Sequence, residues 1–374
     1  MFNVPRSVFN VQHSVFCIFF ANDLFTICNQ VTKINFQTQK QISFTNNTKH
    51  ETRNAQHGTR NTVHETLNVE HETKNMKPFN IHDTALGKLV LIPENYDTSL
   101  LFRIPRSENR VRYGIDNAQL PFVGFDVWNC YELSFLTDNG LPVSRVMKLV
   151  YPAESIYLVE SKSLKLYLNS FNMDHFGKTE LKAEERVGVI ISTDLSLLLE
   201  TQVYVSLFDA TCETRQPFPE FMHEDLSRKV PVKVQEGITF THFNESPELL
   251  KSELTTTLHS YLFRTDLLRS NCRVTNQPDW GDLFVNMSTK QDIELSSVME
   301  YLVSFRKENH FHEEVVEMIY KRFYDIFKPT TLMVAAMYTR RGGIDINPMR
   351  TSHPGLLDET LMSSKLMAAK TLRQ

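Results

Sequence analysis

Two stretches set 134 residues apart repeat one another, and that repeat governs what the chain can fold into. Tyr167-Leu168-Asn169-Ser170-Phe171 matches Tyr301-Leu302-Val303-Ser304-Phe305, and at the same spacing Glu160 meets Glu294 and Ser163 meets Ser297. Leu164, Tyr167, Leu168 and Phe171 fall at i, i+3, i+4 and i+7, so each copy opens a helix with one apolar face. The surroundings repeat too. Phe125–Thr137 and Val143–Tyr151 read as strands joined by Asp138-Asn139-Gly140, a hairpin turn signal. A short extended run at Ser155–Glu160, the first helix, a second helix within Thr179–Val189 and a strand at Gln202–Phe208 follow. In the second half, Leu254–Leu268 is strand-like and Leu283, Val285 and Met287 alternate on a returning strand. Helices over Glu294–Arg306 and Phe311–Phe327 and a closing strand at Thr331–Tyr338 complete the copy. Two ββ-αα-β modules in tandem make an α+β chain, not a doubly wound one, and no G-x-G-x-x-G follows any expected strand. The expected domains are residues 76–225, with 76–122 as an extended leader, and residues 226–374.

Residues 1–75 stand apart. His50, His57, His64 and His71 recur every seven residues, as do Asn54, Asn61, Asn68 and Asn75, without the apolar positions a coiled coil requires. A second seven-residue repeat, FNVPRSV then FNVQHSV, opens the chain, and the antisense of codons for its first unit can encode a unit like the histidine repeats. The segment reads as a disordered extension translated from an inverted DNA repeat, with Met76 as the native start. N-terminal sequencing of the protein from its native host checks this; a mature chain carrying His50–Asn75 overturns it.

The net charge of -4 offers no bulk positive field to nucleic acid or an anionic membrane. No run of about 18 apolar residues suggests a membrane span. Five cysteines, an odd number without C-x-x-C spacing, argue against a disulfide framework or a zinc cage and fit a reducing cytoplasm.

Four stretches carry chemistry. In Ser270–Trp280 a thiol and a carboxylate, Cys272 and Asp279, sit seven residues apart in a polar loop; Arg273 beside the thiol favours a reactive thiolate, and the alternative is an incidental surface thiol. Glu160-Ser161-Lys162-Ser163-Leu164-Lys165 opens a helix with cap-like serines and two lysines suited to phosphate, or is an ordinary capped surface helix. Phe311-His312-Glu313 places a carboxylate able to accept paired N–H donors at another helix start, where an acid is otherwise simple dipole complementarity. Tyr338-Thr339-Arg340-Arg341-Gly342-Gly343 lets backbone and guanidinium approach a phosphate, or is a positively charged turn.

Together, ESKSLKLYLNSFN (160–172), SNCRVTNQPDW (270–280), SFRKENHFHE (304–313) and YTRRGGIDINPMR (338–350) closely resemble the long, two-module form of the NADPH-dependent 7-cyano-7-deazaguanine reductases. The likeness runs from about Leu86 to Gln374 and touches none of residues 1–75. It implies tandem tunnelling-fold modules, each an antiparallel sheet with a helix pair on one face. It implies a homodimer that uses NADPH to reduce the nitrile of 7-cyano-7-deazaguanine in tRNA queuosine biosynthesis, without binding nucleic acid directly, without a membrane and without a metal. By the resemblance Cys272 is the nucleophile that forms a thioimide and Asp279 the proton donor. Val159, Glu160, Ser161, His312 and Glu313 contact substrate, and Ser161, Lys162, Arg341 and Gly342 contact NADPH. Two other readings stand beside it. A zinc-dependent cyclohydrolase of the same fold has Cys272, His310 and His312 as its nearby ligand candidates. A non-catalytic purine- or pterin-binding protein needs no thiol at all.

Overall fold

The computed structural model describes residues 95–374. The repeats of residues 1–75, with the expected disorder there, and the first part of the leader lie outside the described residues. The rest of the leader is not simply extended. It forms β1 (Arg103–Pro105) and α1 (Ser107–Arg112), and drives Arg106 and Arg110 into the interior.

The first module consists of β2 (Val123–Leu136), β3 (Pro142–Pro152), β4 (Tyr157–Val159), α2 (Ser161–Asn169), α3 (Glu180–Leu199) and β5 (Tyr204–Phe208). A connecting segment carries β6 (Thr214–Arg215) and two short helices, α4 (Leu226–Lys229) and α5 (Val232–Gly237). The second module consists of β7 (Ser252–Thr265), β8 (Arg269–Asn271), β9 (Pro278–Ile293), α6 (Leu295–Val303), α7 (His312–Phe327), β10 (Thr331–Tyr338) and β11 (Ile344–Thr351). A last helix, α8 (Glu359–Met362), and β12 (Met367–Ala368) close the chain.

The duplication extends to individual hydrogen bonds. Ser163 and Ser297 each turn their hydroxyls onto the carbonyl three residues back, at 2.7 and 2.6 Å. The same oxygens accept the N–H of Phe102 and of Lys251, at 3.1 and 3.0 Å. One helix later, Ser170 and Ser304 donate to the carbonyls of Tyr167 and Tyr301, and accept the N–H groups of Asp97 and Ser246, both at 3.2 Å. Serines satisfy local backbone groups at helix ends for this reason, and here they also tie each helix to the segment ahead of its module.

Both modules share one antiparallel sheet of order β5-β3-β2-β11-β10-β9-β7. Each closing strand pairs with the second strand of its hairpin, β5 with β3 and β10 with β9. The β2–β3 turn is the expected one, with Gly140 at φ +84°. The helices cover one face. Leu332, Val334, Ala336 and Tyr338 of β10 point into the α6–α7 core, while Met333, Ala335 and Met337 point to the other face. That second face is closed by Phe218, Phe221, Leu361 and Ala368. Among the described residues no helix is long and apolar enough to cross a membrane.

Thr331–Tyr338 closes its own ββ-αα-β copy by pairing with β9, but it is not the last strand of the sheet. β11 follows it, pairs with β10 on one side and β2 on the other, and thereby joins the two modules. Asp345, Asn347 and Arg350 are buried in it, and proline, here Pro348, ordinarily avoids a central strand. This composition hides a strand from any alternation rule. Its polar groups are paired by structure far away in sequence. Asp345 takes Asn129, Tyr131 and Lys370, and Arg350 takes Asp126 and Glu317.

Candidate active site

A cleft of about 400 Å³ opens where the two modules meet. All ten residues assigned from sequence line it: Val159, Glu160, Ser161, Lys162, Cys272, Asp279, His312, Glu313, Arg341 and Gly342.

Cys272 lies in the tight connection from β8 to β9. Its N–H donates to the Gln277 carbonyl at 2.8 Å, and its own carbonyl accepts the Asn276 N–H at 3.0 Å. Asn276 makes the turn at φ +57°, a conformation asparagine tolerates better than most residues. The thiol is free and half-buried. Arg273, whose charge the sequence reading enlisted for this thiol, is committed elsewhere. It reaches Glu314 at 3.1 Å and Glu108 at 3.5 Å and lies over the Phe311 ring.

Asp279, the second residue of β9, pairs with Ser270 and is 3% exposed. Arg341 Nη1 stands 3.0 Å from its Oδ1, outside hydrogen-bonding geometry, and His312 Nε2 stands 3.4 Å from Oδ2. Arg341 also donates to the Pro278 carbonyl. The guanidinium thus turns inward onto Asp279 instead of standing free for a phosphate. Arg341 and Ile344 exchange backbone hydrogen bonds at 2.8 and 3.0 Å around Gly342 and Gly343, at φ +55° and +80°. Positive φ at both central residues is what a two-residue hairpin turn of this hand demands. A side chain at Gly343 would collide with Glu132. Glu132 itself sits in a β2 bulge between Cys130 and Leu133, and with Gly342 O it fixes Lys165 Nζ. Bulges gather beside active sites because they re-aim side chains.

His312 and Glu313 form the first turn of α7. The His312 ring lies flat on Tyr338, with centroids 3.9 Å apart and planes at 3°. Its Nδ1 is buried and has no hydrogen-bond partner; nor has Glu313 Oε1 or Trp128 Nε1. A buried unpaired polar atom costs roughly 1–3 kcal/mol, so three of them around one cleft mark a place built to receive polar groups. Glu313 is 2% exposed, and its carboxyl is pushed up to about 8, by burial first and then by the charge of Asp126, against the pull of Arg106 and Arg350. Across the cleft, Glu160 caps α2 by accepting the Lys162 and Ser163 N–H groups at 3.0 and 2.6 Å. Burial raises its carboxyl above the ordinary value despite these bonds. The Tyr338 ring under His312 and the wall of Trp128, Ile344 and Ile346 have no signature in the local sequence. They come together only through the pairing of β11 with β2 and β10, which no local pattern announces.

The candidate zinc ligands do not converge. His310 is held by Glu308 and Glu314, His312 by Asp279 and Tyr338. Among the described residues no group of three His, Cys, Asp or Glu side chains is placed to hold a metal ion.

Comparison with known proteins converges on one group. Residues 92–207 match the family described as nitrile reductase, 7-cyano-7-deazaguanine-reductase N-term, and residues 278–354 match the family described as QueF-like protein. The NADPH-dependent 7-cyano-7-deazaguanine reductase of Acidovorax ebreus (strain TPSY) is 38% identical over 283 residues, covering 75% of this chain and 98% of that protein. Its counterpart from Polaromonas sp. (strain JS666) is 39% identical over 282 residues, with the same coverage. At that identity, over nearly the whole of each relative, the chain belongs to the family of NADPH-dependent 7-cyano-7-deazaguanine reductases.

Proposed function

We propose that this enzyme reduces the nitrile of 7-cyano-7-deazaguanine to the aminomethyl group, with NADPH, through a covalent thioimide on Cys272, as a step of tRNA queuosine biosynthesis in the cytoplasm. Beyond the family, one observation carries the reading. A free thiol, a buried carboxylate flanked by an arginine and a histidine, and an unpaired Glu313 oxygen line a single cleft.

The chemistry follows from what a nitrile lacks. Its carbon accepts hydride poorly, so the Cys272 thiolate adds first, forming a C–S bond and turning C≡N into a more electrophilic C=N. Asp279 delivers the proton that the nitrogen takes up, and a general acid so placed contributes on the order of 10²–10⁴ in rate. Reduction gives a C–S tetrahedral adduct. Cys272 then leaves as thiolate, an imine remains, and a second reduction with a second proton gives the amine. Trp128, Ile344 and Ile346 supply an apolar wall that keeps the imine from water. NADPH supplies the hydride in both reductions. The residues fit such a cofactor. Lys162 brings an amine to the cleft beside Glu160, and Gly342 offers bare backbone at the cleft wall. Glu313 reads the heterocycle, because its unpaired oxygen accepts the ring's N–H donors.

Stoichiometry tests this. NADPH absorbance is expected to fall by two equivalents for each amine formed, and a ratio of one or a hydrolysed product would end the reading. We also propose a homodimer. Among the described residues the outer edge of β7 is met only by an isolated bridge from Asp225 to Arg264, with Leu254 and Leu258 exposed further along, and long free edges are normally covered. Sedimentation equilibrium is expected to give twice the chain mass.

A further inference from the structure

The segment Glu308–His310 has no part in the chemistry above, yet it is laced to the loop that carries Cys272. Asn271 N–H donates to the Glu308 carbonyl at 2.8 Å, and His310 N–H donates to the Asn271 carbonyl at 3.1 Å. The Asn271 side chain adds a bond to the same Glu308 carbonyl at 3.3 Å. Both ends of this lacing adjoin functional groups: Cys272 follows Asn271, and His312 follows two residues after His310.

The His310 ring, in a residue 6% exposed, stands between two carboxylates that lead in different directions. Its Nε2 lies 2.9 Å from Glu308 and 3.4 Å from the Tyr113 hydroxyl, and its Nδ1 lies 3.5 Å from Glu314. Glu308 also accepts the Glu245 N–H at 3.0 Å, anchoring the segment to the module's entry. Glu314 accepts the Phe311 N–H at 2.9 Å, capping α7, and takes Arg273 of the Cys272 loop at 3.1 Å. Arg273 in turn faces Glu108 at 3.5 Å, and behind Tyr113 the pair Arg322–Glu245 closes on itself at 2.9 Å. Around the ring, then, Glu308 and Glu314 face the imidazole directly, Arg273 is shared by Glu314 and Glu108, and a proton on His310 is the second positive charge.

We propose that His310 is a positioning residue whose imidazolium locks the Cys272 loop to the start of α7, so that nucleophile and substrate-reading turn stay in register, and whose deprotonation releases them. Burial alone would favour the neutral ring, but Glu308 and Glu314 together hold it above the ordinary imidazole value. Glu308 is correspondingly driven down to about 2, chiefly by its hydrogen bond to His310. The sign follows. The lock is closed at low pH and opens as pH rises through the raised imidazole value. The consequence for catalysis rests on the reading of Cys272 as nucleophile; the lock itself does not.

The test uses the full-length enzyme and two readouts across pH 6–10, the range through which an upshifted imidazole titrates. Hydrogen exchange of the Arg269–Gln277 peptide, corrected for intrinsic rate, reports the lock. Intact-mass kinetics of nitrile addition without NADPH report the nucleophile. In the parent, protection of this peptide is expected to fall by about ten-fold to a hundred-fold on the alkaline side, the scale of a lost charged hydrogen bond. H310Q is expected to show the low protection at every pH, with slower adduct formation and an unchanged KM. Removing one negative neighbour in E308Q is expected to move the protection step to lower pH. This variant leaves the ring in place and decides the matter should H310Q fail to fold. Protection that is flat with pH in the parent, or a step that does not move in E308Q, overturns the inference. A step that moves as stated while no nitrile adduct forms leaves the lock standing and removes the thioimide reading instead.

Discussion

Replacement of Cys272 by alanine is expected to eliminate the nitrile adduct and to lower NADPH oxidation by about four orders of magnitude or more, the scale on which a covalent nucleophile is lost. Without the thiol, hydride must attack the C≡N carbon directly, and Asp279 can then protonate only a nitrogen anion formed on an electrophile that accepts hydride poorly. The fold should not notice. Cys272 is half-buried in a loop whose restraints are backbone hydrogen bonds, so the change in stability should stay within about 1 kcal/mol. Intact mass after exposure to substrate alone separates the possibilities, because the two other described cysteines are poor competitors. Cys130 is buried in the first module's core with its thiol pushed far up by desolvation, and Cys212 donates its S–H to the Glu213 carbonyl at 3.3 Å outside the cleft. An adduct that persists in the alanine variant, or that maps to Cys130 or Cys212, would remove Cys272 from the mechanism.

Much of the fold was legible because it was written locally and written twice. Glu160 and Glu294 precede helices that begin and end at the same 134-residue offset, and the serines that follow them make the same bonds in both copies. A helix with Leu164, Tyr167, Leu168 and Phe171 on one side has few options but to bury that side. What stayed hidden was written across the chain. β11 looks like a loop because Asp345, Asn347, Pro348 and Arg350 interrupt it, and only their partners on β2, on α7 and near the C-terminus make burial tolerable. The site was legible in its members but not in their attachments. Arg273 sits next to Cys272 in sequence and faces Glu314 and Glu108 in space; Arg341 reads as a phosphate ligand and rests on Asp279. Neighbourhood along a chain says which groups share a loop, not which way a long side chain turns, and that direction is settled by charges on other elements.

Glu313→Gln is the second change with a large expected effect, and its direction differs for binding and for stability. Glu313 stands one helical turn ahead of Glu317, in a pocket where Arg106, Arg110 and Arg350 are already spent on Asp126 and Glu317. Glu317 is therefore held down at about 2, overcoming burial, while Glu313 is pushed up to about 8 by burial and by Asp126. With the cleft empty, the folded protein keeps a proton on Glu313 that the unfolded chain releases near the ordinary 4.5. The folded state thus binds more protons, so this group's contribution to stability is full below about 4.5 and is lost as pH rises through about 8. Substrate reverses the preference, because ring N–H donors need the carboxylate. Affinity is expected to climb nearly ten-fold per pH unit up to about 8 and then level off, with one proton released on binding below that point. The glutamine variant has no proton to release. It should bind with no such slope, lose about 10²–10⁴ in kcat/KM because its amide offers a donor where the ring also donates, and melt higher than the parent above pH 8. Calorimetry in two buffers of different ionisation enthalpy counts the released proton directly. Equal slopes in parent and variant would mean that Glu313 does not read the ring, whatever the loss in turnover.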